Sequence, residues 1–339
     1  MKAARLVKPY QMIFEEKPIP EIRENQVLLK ILCFGICGSD LQIYHGQHKY
    51  AAMPIIMGHE IAAQIEKTGS RVTGFSPGDK VTIEPQVTCG SCYPCQTGRF
   101  NVCEQLKVIG VHMDGCNQEY YAVDSKYLHK IPDAMENGIA ALTEPMAVGV
   151  GAVKRSRKYK GGNVVIVGAG TIGNLTAQAA KGLGAEQVMI TDLIQEKLDY
   201  ARECNVDYAV NTSEISLKKA IEKCFGKRKA DVIIDCAANP KVFQSILEAA
   251  RPSSEIILTG NYKVPVTLEV PAIQRQEIEL IGHMMYVRED FEDAIRLLEK
   301  GEIETGRTIS HRFPFDKYPE ALEFIDKHSG KIMKVIIDM

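Results

Sequence analysis

Val164-Val-Ile-Val-Gly168-Ala-Gly170-Thr-Ile172-Gly173 is an apolar run that breaks into three glycines and leads into a helix-forming segment, LTAQAAKGLG. A G-x-G-x-x-G pattern alone is weak, but here it follows a strand and opens a helix, the context that gives it meaning. Gly168, Gly170 and Gly173 permit a tight turn and a close approach of backbone to a pyrophosphate, which the helix N-terminus attracts. Ile172 lies inside that loop. Asp192 ends the next apolar run, QVMITD, 22 residues beyond Gly170. Its carboxylate would accept hydrogen bonds from a ribose diol and repel a 2′-phosphate, and none of the four residues after it is Arg or Lys. The pattern therefore favours NAD over NADP, with Lys197 one helical turn further on as a partner for the 3′-hydroxyl.

Working outward, apolar runs alternate with helical segments: NVVIVGAG, LTAQAAKGLG, QVMITD, IQEKLDYAREC, YAVN, ADVIIDCAA, SEIILTG and IELIGHM. This predicts an α/β fold with five or six parallel strands covered by helices. Residues 1 to about 149 have a different texture, with short β-type runs such as QVLLKILCFGI and KVTIEP between turn residues, and predict an irregular, mostly β domain. Past His283, FEDAIRLLEKGEI suits one amphipathic helix, and KIMKVIIDM a closing strand. These last residues are too few for an independent core and are expected to return to the first domain.

The chain has 339 residues, with 41 Lys and Arg against 43 Asp and Glu. That balance leaves no basic footprint for nucleic acid or for an anionic membrane. No stretch approaches the ~20 apolar residues needed to span a bilayer, and the N-terminus lacks a signal-type apolar run. A cytoplasmic protein is expected. Of ten cysteines, four crowd into CGSCYPCQTGRFNVC. Cys89, Cys92, Cys95 and Cys103 have the spacing of a closed four-thiolate Zn²⁺ site, hence a structural one. Cys33, Cys116, Cys204, Cys224 and Cys236 read as buried or partly buried small residues.

A second constellation combines Cys37 in GICGSD with His59 and Glu60 in GHE. Thiolate, imidazole and carboxylate are all zinc ligands, and fewer than four strong protein ligands leave the open position that catalysis requires. Asp40 would orient His59, and Glu144 in LTEP offers another carboxylate.

Taken together, these motifs resemble the zinc-dependent medium-chain dehydrogenases, in the branch with sorbitol, threonine and sugar-acid dehydrogenases. The likeness runs through EEKPIP, GICGSD, PIIMGHE, GDKV, the cysteine quartet, the glycine fingerprint and the terminal GK..K. It implies a GroES-like, mostly β catalytic domain of residues 1–148 and 285–339, and a doubly wound Rossmann domain inserted at 149–284. It also implies two zinc ions, one catalytic and one structural, NAD as cofactor, and a homodimer or homotetramer joined partly through Rossmann sheet edges. Cys37, His59, Glu60 and Glu144 match positions around the catalytic zinc, where the glutamates exchange with water. Ser39 matches the hydroxyl that takes the alcohol proton, and the segments after Thr259 and around His283 match those that flank the nicotinamide.

Two departures bear on mechanism and substrate. Gln42 stands where many relatives carry the histidine that ends a proton relay, so a nearby base such as His45 or His48, or water, must serve. Met285-Tyr286 replaces the Arg-Tyr pair of sorbitol dehydrogenases. The expected reaction is NAD-dependent oxidation of a secondary alcohol to a ketone. VIGVHMDG and EYYAV resemble the loop of dehydrogenases acting on sugar acids, so a hexonate such as L-gulonate or L-galactonate is the leading substrate, although Cys116, Asn117 and Gln118 depart from the usual continuation. His45, His48, Lys49, His112 and Arg288 are the groups available to hold it. A polyol or threonine is the alternative, and a non-catalytic NAD-binding protein the remote one.

Overall fold

The apolar runs around the glycine loop pair in parallel. The computed structural model describes residues 1–301, 304–328 and 330–339. Six strands lie in the order Tyr208–Asn211, Gln187–Asp192, Asn163–Val167, Val232–Asp235, Glu255–Leu258, Glu279–Gly282. Every neighbouring pair is parallel, with Val164 opposite Val188 on one side and Val232 on the other. Asn163–Val167 is buried at all positions, as expected of a strand sandwiched between helix layers, where an uninterrupted β-branched run replaces alternation. Chain order reverses between this strand and Val232–Asp235, which makes the sheet doubly wound and puts the glycine loop at the switch point, where ligands bind such sheets. On one face Val165, Met189, Ile221, Phe225, Ile233, Phe243 and Ile246 form a buried cluster.

A second unit is built on the ten-residue strand Gln26–Gly35, which pairs antiparallel with Glu60–Thr68, Tyr120–Asp124 and the C-terminal strand Lys334–Asp338. Lys334–Asp338 also pairs, in parallel, with Ile309–Pro314. The chain's end therefore does return to the first domain, but later than its sequence suggests.

The two compact units are Met1–Glu144 with Ile309–Met339, and Pro145–Thr308. The boundaries thus fall at 144/145 and 308/309, not at 148/149 and 284/285. The helix Arg288–Lys300, expected in the first domain, belongs to the second unit. It buries Phe291, Ala294, Leu297 and Leu298, and Lys154 pairs with its Asp290 at 2.8 Å and Asp293 at 2.7 Å. Gly301, at φ +63, caps this helix; Glu302 and Ile303, expected as its last residues, lie outside the described residues. Among the described residues no helix is long and apolar enough to cross a membrane.

Candidate active site

Cys37 sits where the central strand of the first unit gives way to the short helix Gly38–Tyr44. Its backbone N–H donates to Asp40 Oδ2 at 3.0 Å, fixing the turn. Ser39 lies in the first turn, its Oγ buried and without a partner among the described residues. His59 and Glu60 open the strand Glu60–Thr68 and are clamped from behind. Gly115 N–H donates to Ile56 O at 2.6 Å, Asn117 N–H to Met57 O at 3.0 Å and Cys116 N–H to Gly58 O at 3.0 Å. Gly58 has φ +97, and a Cβ there would overlap Asn117 Oδ1, so only glycine fits. Asn117 in turn donates to the Tyr318 hydroxyl at 2.8 Å. Two of the three residues that depart from the usual sugar-acid loop, Cys116 and Asn117, thus support the turn that leads into His59.

One donor atom each from Cys37, His59 and Glu60 lie within 4.8 Å of one another. Glu144, in the first turn of Thr143–Lys154, is buried and acts electrostatically on the same imidazole from outside that set. Burial alone would lower the His59 pKa, but Cys37, Asp40 and Glu144 raise it well above its ordinary value. His59 Nδ1 and Asp40 Oδ1 are both buried without a hydrogen-bond partner among the described residues. A pocket of converging acids around one imidazole favours a cation, and the soft and hard donors present suit zinc. Sequence reasoning missed Lys334, whose Nζ lies 2.7 Å from Glu60 Oε1 and 2.6 Å from Oε2. Its only signal was the terminal GK..K.

The structure separates the two proposed substitutes for the relay histidine. His45 Nε2 is engaged with Asp326 Oδ2 at 2.8 Å and its ring packs on Tyr10 and Tyr44. His48 follows a turn in which the Gln42 carbonyl accepts from Gln47 and His48 N–H groups. Its Nδ1 is buried with no partner among the described residues. Burial, then His112 and His59, lower its pKa, so His48 is neutral at neutral pH and able to accept a proton.

The quartet also converges. Cys92 Sγ is 3.5 Å from Cys95 Sγ and 3.8 Å from Cys103 Sγ, and Cys103 Sγ is 3.5 Å from Cys89 Sγ. These separations match the edge of roughly 3.8 Å of a tetrahedron with ~2.3 Å zinc–sulfur bonds, and greatly exceed the ~2.05 Å of a disulfide. Backbone N–H groups of Ser91 and Cys92 pull the Cys89 thiol down to about 6, favouring thiolate.

In the second unit, Gly170 caps the helix Thr171–Gly182 in an extended conformation, with Ile172 half-buried in its first turn. Gly168 has φ +98, and a Cβ on Gly173 would overlap the Gly168 carbonyl. The turn is the bare backbone cradle that a pyrophosphate requires. Asp192 Oδ2 accepts from Ala169 N–H at 2.8 Å, and Oδ1 from Leu193 and Ile194 N–H groups at 2.8 and 3.0 Å. Three of the carboxylate's roughly four acceptor sites are so used, leaving capacity for one ribose hydroxyl. Lys197 is half-buried in the helix Gln195–Glu203. Beside Asp192 a cavity of about 440 Å³, lined by Val167, Leu193, Leu217, Val242 and Ser245 among others, suits an adenine ring. Thr259 and His283 follow the last two parallel strands; Thr259 N–H donates to Asp235 O at 3.0 Å, His283 N–H to Leu258 O at 3.0 Å, and Thr259 Oγ1 is buried without a partner among the described residues.

A doubly wound nucleotide sheet and a β unit with two metal-type clusters define a metal-dependent dehydrogenase. Comparison with known proteins agrees: residues 23–133 match the alcohol dehydrogenase GroES-like domain, and residues 171–300 the zinc-binding dehydrogenase domain. An uncharacterized zinc-type alcohol dehydrogenase-like protein of Haemophilus influenzae is 32% identical, covering 99% of this chain and 98% of its own. The sorbitol dehydrogenase of Bacillus subtilis is 31% identical, covering 99% and 97%. A solved structure described as a short chain alcohol dehydrogenase of Escherichia coli CFT073, complexed with NADH, is 32% identical with a TM-score of 0.93, covering 100% and 99%. The chain belongs to the zinc-dependent medium-chain dehydrogenases, as oxidoreductases acting on CH–OH donors.

Proposed function

We propose that the chain uses NAD to oxidise a secondary alcohol of a polyhydroxy compound to a ketone, a hexonate such as L-gulonate or L-galactonate being the leading substrate. The observation that carries this reading is the cluster of Cys37, His59 and Glu60 with the unpartnered Ser39 hydroxyl in the adjoining helical turn. Cys37 and His59, with a carboxylate from Glu60 or Glu144, would hold the catalytic zinc, while Cys89, Cys92, Cys95 and Cys103 would hold the structural one. When bound, zinc supplies charge that lowers the pKa of an alcohol hydroxyl, and NAD supplies the hydride acceptor. Ser39 takes the hydroxyl proton, and Asp40 holds the turn that carries it. Asp192, Lys197, Gly168, Gly170, Ile172 and Gly173 bind the dinucleotide, with Thr259 and His283 on the nicotinamide side. The relative complexed with NADH supports the cofactor, and the sorbitol dehydrogenase supports a polyhydroxy substrate.

An uncharged polyol is the second reading, favoured by a neutral His48 and by Lys49 lying over the Tyr50 ring at 5.4 Å. Threonine ranks behind both. The test is catalytic efficiency across hexonates, polyols and threonine with NAD: a hexonate is expected to lead, and preference for an uncharged polyol or for threonine over every hexonate overturns that choice. No NADH formation from any secondary alcohol overturns the enzymatic reading.

Cofactor choice yields a prediction of its own. A 2′-phosphate beside the Asp192 carboxylate is a like-charge contact costing several kcal/mol. Catalytic efficiency with NAD should exceed that with NADP at least ~100-fold, about 2.7 kcal/mol; steady-state kinetics with the two cofactors would expose an error.

His48 is assigned the outgoing proton in place of Gln42. In His48→Ala, kcat is expected to fall about tenfold near neutral pH and to recover at high pH, where hydroxide takes the proton directly. His45→Ala should leave the pH profile unchanged, since its imidazole is spent on Asp326. A His48→Ala profile matching the parent's assigns the proton to water.

Cytoplasmic localisation is proposed on the ten free cysteines. A homodimer or homotetramer is proposed on the edge strand Glu279–Gly282 and on exposed Val264, Leu268 and Val270 in the segment leading to it.

A further inference from the structure

A buried polar pair joins the loop behind His59 to the last helix of the chain. Asn117 and Tyr318 are both wholly buried, and Asn117 Nδ2 donates to the Tyr318 hydroxyl at 2.8 Å across 201 residues of chain. Asn117 grips the turn before His59 with two groups. Its backbone N–H donates to Met57 O at 3.0 Å, and its Oδ1 lies where a Cβ on Gly58 would have to be. Gly110 and Gly115 also press on Gly58, since a Cβ on either would overlap the Gly58 carbonyl. With backbone packed this closely, the Asn117 side chain limits how far Gly58, and with it His59, can shift.

Tyr318 reaches the same histidine by a second route. It opens the helix Tyr318–His328, and its ring meets Phe34 edge-on, centroids 5.1 Å apart, on the strand that leads to Cys37. Burial, then the charge of Asp40, raise its pKa well above that of an ordinary phenol, so the hydroxyl keeps its proton. That hydroxyl accepts from Asn117 and has one proton to give. It stands in the field of a carboxylate whose Oδ1 has no hydrogen-bond partner among the described residues and which itself acts on the His59 imidazole. Packing alone does not account for the pair: an apolar couple would fill the space without the cost of desolvating an amide and a phenol. We propose that Asn117 and Tyr318 act as one positioning unit for His59. Asn117 fixes the Gly58 turn, while Tyr318 fixes the Asn117 amide and, through Asp40, the imidazole. This rests on the reading that Cys37 and His59 hold the catalytic metal, whose binding depends on how its ligands are oriented from behind.

Chelator competition against zinc-loaded protein tests this without turnover, the cysteine quartet serving as internal reference in every sample. Tyr318→Phe removes the hydroxyl and keeps the ring. It should weaken zinc at the catalytic site about tenfold, leave the quartet unchanged and alter the visible absorption of the cobalt-substituted site. Asn117→Ala should do the same, and the double variant should fall within about threefold of the weaker-binding single one, because the two residues act together. Phe34→Leu is the control for packing: it should lower the melting temperature yet hold catalytic-site affinity within about twofold of the parent and leave the cobalt spectrum unchanged. Unchanged affinity and spectrum in Tyr318→Phe overturn the proposal. So does a double variant whose loss is the product of the two single losses, or a Phe34→Leu variant that loses as much zinc as Tyr318→Phe. If Asn117→Ala does not fold, Tyr318→Phe and Phe34→Leu decide. Parental protein that binds zinc only at the quartet overturns the metal-site reading as well, whereas two zinc ions with an unaltered Tyr318→Phe variant overturn this inference alone.

Discussion

Cys37→Ala is expected to lower kcat at least ~10³-fold while leaving the melting temperature within a few degrees of the parent. Cys37 is half-exposed at the mouth of a helix, and Ala at this position removes little buried surface. What it removes is the sulfur that, with His59, is proposed to hold the catalytic metal. Loss of metal charge from the reacting oxygen forfeits several kcal/mol of transition-state stabilisation, at 1.36 kcal/mol per tenfold in rate. Metal analysis should fall from two zinc ions per chain to one. Turnover surviving within tenfold, or two zinc ions retained, would refute the assignment of Cys37.

Cys92→Ala should show the reverse pattern. Cys92 caps the four-residue helix Tyr93–Gln96, and no residue of that helix is buried. A helix this short has no intrinsic stability, so its fold must come from the thiolate cluster. Losing one ligand of a closed site removes a metal whose binding energy is folding energy. A destabilisation of about 3 kcal/mol or more corresponds to a fall in melting temperature of at least ~6 °C for a unit of this size. Thermal denaturation with and without added zinc should show that the parent responds to chelation and the variant does not. If the melting temperature is unchanged while activity is lost, the quartet is not the structural site.

Much of this was legible in the chain because it depends on local order. The glycine fingerprint works through three glycines within six residues and one carboxylate a strand away. The four inner strands of the parallel sheet announce themselves as β-branched runs because they are buried on both faces, and the quartet is confined to fifteen residues. Cys37, His59 and Glu60 were legible as ligand types, since the strand and helix ends that present them lie near in sequence.

Pairings between distant segments were decided only by the tertiary structure. The helix Arg288–Lys300 has an amphipathic pattern that fits either unit, and its place was settled by Lys154 reaching Asp290 and Asp293. His45 and His48 are equivalent in sequence, and Asp326, 281 residues away from His45, is what removes one of them from the relay. Asn117 looked like a departure from a loop motif until Gly58 and Tyr318 closed around it. Lys334 is the sharpest case: 274 residues separate it from Glu60, and neither composition nor spacing indicates which buried carboxylate a lone lysine will neutralise. The physical reason is common to all four. Periodicity and motif spacing record what a residue needs from its immediate neighbours, whereas a partner far away in sequence is fixed by which elements the tertiary structure sets side by side.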